Sequence, residues 1–185
     1  MSGNRYVALL RGINVGGRNP VAMADLRQAF ATEGYDAIST YIQSGNVLFT
    51  SDAPSDSLEN EVEAMLERRL GFALVVVVRS HRQLRHIVGK APTGFGAAPD
   101  THHSDVIFLR GGLSSRQAMG VVEQREGVDS AWAGPGVVYF TRVSARRTQS
   151  RMSRIVGTPE YQRMTIRSWS TTTKLLGLLD SRGAS

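Results

Sequence analysis

The 185-residue chain has no cysteine, which excludes disulfides, thiolate metal sites and cysteine nucleophiles and fits a cytoplasmic protein. Lysine is almost absent as well: Lys90 and Lys174 are the only two, so arginine carries the positive charge, as expected of a GC-rich coding sequence. No apolar run approaches the roughly 20 residues of a membrane span, and membrane insertion is not expected. The opening residues lead directly into a short strand-like run interrupted by Arg11, unlike a signal peptide. Aromatic residues make up 7%, and the expected first and third strands offer only Tyr6 and Phe49. That disfavours an RNA-recognition sheet, which stacks bases on paired aromatics.

The formal charge of +6 is unevenly distributed. From Ser130 onward nine basic residues face only Glu160 and Asp180, whereas the first 129 residues are close to neutral. Such asymmetry marks a surface for phosphates or nucleic acid, or follows from composition alone.

The hydrophobic pattern places a strand at Tyr6–Arg11 and a helix bearing Met23, Leu26 and Phe30, closed by Gly34. Two β-rich runs, Ile38–Gln43 and Val47–Thr50, flank a short turn at Ser44-Gly45-Asn46. Asp56 and Glu59 have capping-box spacing ahead of the apolar stripe Leu58, Val62, Met65, Leu66 and Leu70, which Gly71 ends. Leu74–Val78 reads as a strand buried on both faces. The resulting order is the βαββαβ arrangement of a ferredoxin-like unit.

Ser80 is placed to cap a short helix through Val88, and Lys90–Ser104, with Pro92, Gly94, Gly96 and Pro99, reads as a connector. A strand at Val106–Leu109 follows, then a helix capped by Ser114, and a hairpin of Asp129–Ala133 and Val137–Thr141 around Gly134-Pro135-Gly136. A helix from Thr148 to Val156, a strand at Met164–Arg167 and a last helix opened by Ser168 or Ser170 complete the pattern. The expected fold is therefore α+β, two ferredoxin-like subdomains in tandem with extra helices: residues 1–79, a helix and linker over 80–104, residues 105–180, and a tail at 181–185.

The stretches Arg11-Gly12-Ile13-Asn14-Val15-Gly16-Gly17 and Tyr41-Ile42-Gln43-Ser44-Gly45-Asn46-Val47, with Gly157-Thr158-Pro159 and Met164-Thr165-Ile166-Arg167-Ser168-Trp169-Ser170-Thr171, resemble the bacterial family known as domain of unknown function 1697. The resemblance runs from residue 11 to about 176. It implies two linked α+β subdomains of ferredoxin-like character and assigns no reaction. Serine stands at 168 and 170, where the family usually carries asparagine.

Candidate sites follow from the residues themselves. Between strand and helix, the glycine-rich turn with Arg11, Asn14, Gly16, Gly17 and Arg18 is suited to an anion through backbone N–H groups and guanidinium contacts, or simply to a wide turn. It is neither a dinucleotide fingerprint nor a P-loop. Gln43, Ser44 and Asn46 would face the same ligand, or merely form a tight turn. Arg167 and Trp169 offer a charge and a stacking ring near a helix start, and the alternative is a core tryptophan beside capping hydroxyls. Arg147, Arg151 and Arg154 fall on one face of the expected helix, a phosphate track or a solvated face. His102 and His103, near Asp100, Ser104 and Asp105, lack metal-site or nucleophile-elbow spacing.

The leading expectation is a binding protein for a phosphate-bearing ligand, a nucleotide or a nucleic acid, with no cofactor and no metal. One alternative is an enzyme acting on a small anionic metabolite, with Asp25, Asp36 or Tyr41 as nominal acid–base groups. The other is a scaffold that pairs through its sheet edges.

Overall fold

The computed structural model describes residues 3–182. Two compact units divide the chain. The first runs up to Leu84 and takes up the chain again from Leu175; the second is Arg85–Lys174. Each is α+β, and each has a four-stranded sheet whose neighbouring strands are all antiparallel.

In the first unit the order is β1 (Asn4–Arg11), α1 (Met23–Thr32), β2 (Asp36–Tyr41), β3 (Asn46–Ser51), α2 (Ser55–Leu70) and β4 (Val75–Ser80). The sheet order is β2-β3-β1-β4; Val7, Ala8, Leu9, Val47, Leu48 and Phe49 of the central strands are fully covered, Val76 and Val77 of β4 are buried as well, and β2 is the exposed edge. Leu26, Ala29 and Phe30 of α1 and Leu58, Val62, Met65 and Leu66 of α2 close one face of the sheet. A chain of ring contacts, Tyr6–Phe49–Phe30–Tyr35, runs through this core at 5.2–5.7 Å between centroids. Gly34 ends α1 at φ +88°: its N–H bonds the Ala31 carbonyl, and Tyr35 N–H bonds that of Phe30.

The expected capping box at Asp56 and Glu59 does not form. α2 begins one residue after Pro54, which places Asp56 inside the first turn. Glu59 instead turns into the core, where it accepts from the Val78 N–H (3.2 Å) and Arg79 Nη1 (3.1 Å).

The second unit contains β5 (His102–Leu109), α4 (Ser115–Val121), β6 (Asp129–Gly134), β7 (Val137–Val143) and β8 (Met164–Ser168), in the sheet order β6-β7-β5-β8. Ser114 and Gln117 form a reciprocal capping box at the start of α4. The expected helix at Thr148–Val156 is absent. Three 3₁₀ turns, Ser144–Gln149, Met152–Gly157 and Pro159–Arg163, occupy the segment. Asp129 Oδ2 accepts the Arg151 N–H at 2.9 Å, and an α-helix would have sent that donor to the Arg147 carbonyl.

Two helices straddle the division: α3 (His81–Gly89) and α5 (Trp169–Ser181). The expected division sets residues 80–104 apart as a helix and linker and gives the whole last helix to the second half, whereas the observed division falls within α3 and within α5. The segment before β5 is a run of turns in which Phe95 stands edge-on to Trp132, Tyr139 and Trp169 at 6.2, 5.4 and 5.1 Å. Most of the expected tail, from residue 183 on, lies outside the described residues.

Candidate functional site

The glycine-rich stretch folds as a small hairpin. Gly16 and Gly17 both have positive φ (57° and 74°), Arg18 N–H bonds the Val15 carbonyl at 3.0 Å, and Asn14 N–H bonds the Asn19 carbonyl at 3.1 Å. That is a two-residue turn of the kind glycine favours. Its tip, Val15–Arg18, is exposed, and α1 starts only after Pro20, Val21 and Ala22.

Asn14 ties this hairpin down. Its Oδ1 accepts from Val21 N–H (2.8 Å), and its Nδ2 donates to the carbonyls of Val21 (2.9 Å) and Gln43 (3.0 Å). The structure therefore brings the Arg11–Asn19 loop and the Gln43–Asn46 turn together through the Asn14 side chain. Asn46 is fully buried, and its Nδ2 donates to the Tyr41 carbonyl (2.9 Å) and to Ser44 Oγ (3.1 Å). The side-chain donors of Asn14 and Asn46 are thus committed to holding the turns. Arg11 ends β1 opposite Val75, and Arg18 stands exposed at the tip.

The other expected residues are dispersed. Arg147, Arg151 and Arg154 do not share a helix face: they lie on and between the 3₁₀ turns, and Glu123 draws in Arg151 (3.7 Å) and Arg154 (2.6 Å). Arg167 is buried in β8, with Nη1 donating to Thr165 Oγ1 (3.0 Å) and the Ile166 carbonyl (2.8 Å). Burial pushes its guanidinium down to about 10. Trp169 opens α5 packed against Phe95, and a Cβ at Gly96 would fall 2.0 Å from its Cδ1. Ser168 caps α5 through Thr171 N–H (3.2 Å) and bonds Ser170 Oγ (3.1 Å). His103 and Arg142 both hold Asp105, each at 3.0 Å, and Ser104 meets Thr141. Asp25 is exposed on α1, and Tyr41 ends β2.

A concave site lies in the first unit at the other end of β1. The depression, about 1060 Å³, is lined by Arg5 from β1, His81 and Arg82 from the start of α3, and Arg182 just past α5. Asp36 is the sole carboxylate among its lining residues. Arg5 Nη1 donates to the Leu179 carbonyl at 2.5 Å, so a cation sits on the negative end of α5. Arg5 Nη2 lies 3.0 Å from His81 Nδ1, and His81 Nε2 lies 2.6 Å from Asp180 Oδ1. A guanidinium can only donate, so Nδ1 is the acceptor and the imidazole hydrogen is on Nε2. Arg182 donates to the Ala37 carbonyl and Ser39 Oγ, and its partial burial lowers its pKa.

None of Arg5, Arg82 and Arg182 has a carboxylate partner among the described residues. Sequence reasoning missed this cluster because its members come from positions 5, 81–82 and 182, with no shared motif or period. The Ser80–Gln83 cap, in which each side chain bonds the other's N–H (2.8 and 3.2 Å), was the one local signal. Among the described residues no three His, Asp or Glu side chains could hold a metal ion, and no helix is long and apolar enough to cross a membrane.

Two four-stranded antiparallel sheets with their helices define a duplicated α+β architecture, and the chain belongs to the family described as protein of unknown function (DUF1697), whose model matches residues 3–139. A solved relative is the conserved bacterial protein SP0830 from Streptococcus pneumoniae, 26% identical. The match has a TM-score of 0.82 and covers 95% of this chain and 98% of that one. No curated protein matches the chain.

Proposed function

We propose that the protein binds a phosphate-bearing ligand in the cation-lined depression of the first unit. The observation that carries this reading is the convergence of Arg5, Arg82 and Arg182, none neutralised by a carboxylate partner, on one concave surface. Guanidinium groups match phosphate oxygens with paired, charge-assisted hydrogen bonds. Arg5 and Arg182 are held by carbonyl and hydroxyl acceptors, so their positions are set without cancelling their charge. The start of α2, which has no side-chain cap, adds Ser55 to the same wall.

The arginine-glycine hairpin offers a second place for the phosphate, supported by exposed Arg18 beside two side-chain-free residues. Arg5 and Arg11 are six residues apart on β1, about 20 Å at ~3.3 Å per residue, so one small ligand does not span both. A sheet-edge scaffold is less well supported. β2 is bulged between Asp36 and Ser39 and covered by Arg182, and the β6 edge gives its Ala131 N–H to Gln124. A cytoplasmic setting for the ligand accords with the cysteine-free composition.

Calorimetric titration with inorganic phosphate tests the site. Affinity should fall by about tenfold or more in Arg82→Ala and in Arg182→Ala, with Arg18→Ala unchanged. A loss confined to Arg18→Ala would move the phosphate to the hairpin, and no phosphate binding by the unaltered protein would end the reading.

A further inference from the structure

Resting on that reading, we infer that the depression is selective for a compact phosphomonoester and rejects a nucleic-acid strand, because the surface adjoining it is acidic. A second depression, about 720 Å³, shares Gly3, Asp36 and Thr50 with the cationic one. Its walls carry Glu33, Asp36, Asp52 and Glu61 against a single cation, Arg68. That cation pairs with Glu33 at 3.3 Å, leaving the rest of the wall negative.

Asp52 and Glu61 are both exposed. Tyr35, on the same wall, registers the field: burial is the main cause that pushes its phenol up to about 12, and the charges of Glu61 and Glu33 push it further in the same direction.

A terminal phosphate presents up to two negative charges on one group and places nothing charged beyond it. A strand carries a charge at every nucleotide, so its affinity depends on a continuous track of cations. Leaving the Arg5–Arg82–Arg182 cluster past Asp36, the next phosphates would meet the wall that carries Asp52 and Glu61, where like charge opposes them. Repulsion of this kind separates two ligands that share the same phosphate chemistry. It also turns the net basic charge of the chain into a poor guide to its partner.

The test compares glycerol 3-phosphate with a short, unphosphorylated oligothymidylate, each titrated into the full chain and into Asp52→Asn/Glu61→Gln. Glycerol phosphate should bind the unaltered protein at least about tenfold more tightly per site than the oligonucleotide, and compete with inorganic phosphate. The double variant should strengthen oligonucleotide binding by about tenfold while glycerol phosphate stays within about twofold, since the altered groups lie in the adjoining depression and are screened by salt. Equal binding of the two ligands, with a ratio that the double variant leaves unmoved, would overturn the selectivity and leave the phosphate site standing. Failure of both inorganic phosphate and glycerol phosphate to bind would remove the site and the selectivity together.

Discussion

Arg79 in β4 and Arg167 in β8 occupy the same position in the two sheets. Arg79 lies opposite Val7 of β1, and Arg167 opposite Val106 of β5. Each is buried, and each folds Nη1 back onto the carbonyl of the residue before it, Val78 or Ile166, at 2.8 Å. Each is followed by a serine, Ser80 or Ser168, that caps the next helix at 3.2 Å. The duplication that the sequence shows only as a pattern of elements is therefore preserved in particular residues. The two sites differ where the units differ: α2 supplies Glu59 to Arg79, whereas the second unit has 3₁₀ turns in the place of that helix.

The Arg79–Glu59 pair, at 3.1 Å and largely out of water, should behave as a unit. Arg79→Met alone leaves Glu59 as an unmatched buried charge and should cost about 3–5 kcal/mol, as should Glu59→Leu. The double substitution should cost clearly less than the sum. Urea unfolding of the four proteins measures the coupling, and a value near zero would show that the partners act independently.

Two phenols should titrate late. Burial raises Tyr139 to about 12, and Tyr35 is raised to about 12 by burial and the neighbouring glutamates. A folded pKa above the unfolded value of 10 means that their contribution to stability is complete below pH 10 and is lost as pH rises towards 12. Arg167, held at about 10, has the opposite sign, since the cost of burying its charge is relieved above that pH. Ultraviolet titration isolates the phenols, and Tyr139→Phe should remove one late component. The same substitution deprives the Ile87 carbonyl of its 2.5 Å donor and should cost about 1–3 kcal/mol in denaturant.

Asn14 holds the arginine-glycine hairpin by three side-chain hydrogen bonds at a φ of 53°, which asparagine tolerates better than most residues. Asn14→Ala should destabilise the first unit by about 1–3 kcal/mol and raise amide exchange at Val21. Phosphate affinity at the Arg5 end of β1 should stay as it was. A loss of that affinity without a loss of stability would place Asn14 in a ligand site instead.

Most strands and helices were legible because their signals are local. Runs of β-forming residues marked β1 and, with glycine-containing turns between them, the hairpins; the stripe through Leu58 and Leu66 marked α2, and Gly34 and Gly71 marked helix ends. The Thr148–Val156 segment misled because its arginine spacing mimics a helix, while the deciding bond comes from Asp129, some twenty residues away. Trp169 shows the same limit: its partner Phe95 lies in a stretch whose prolines and glycines read as a connector. The glycine-rich hairpin was visible and its geometry explains its glycines. The cationic depression was not visible, since distant chain segments assemble it and no residue in it sits in a distinctive motif.

Arg5 bonds the last turn of α5, and Arg182 bonds the edge of β2. A ribosome emits β1 first and α5 after the entire second unit. At roughly 5–20 residues per second, the first sheet therefore waits several seconds for the segment that closes it. During that interval Arg5 has no helix end to rest on, Ala37 and Ser39 stand uncovered on an open strand edge, and the depression lacks one of its walls. The cation-lined depression is thus completed only after the second unit has been made, and a nascent chain that has finished the four strands of its first sheet has yet to acquire it.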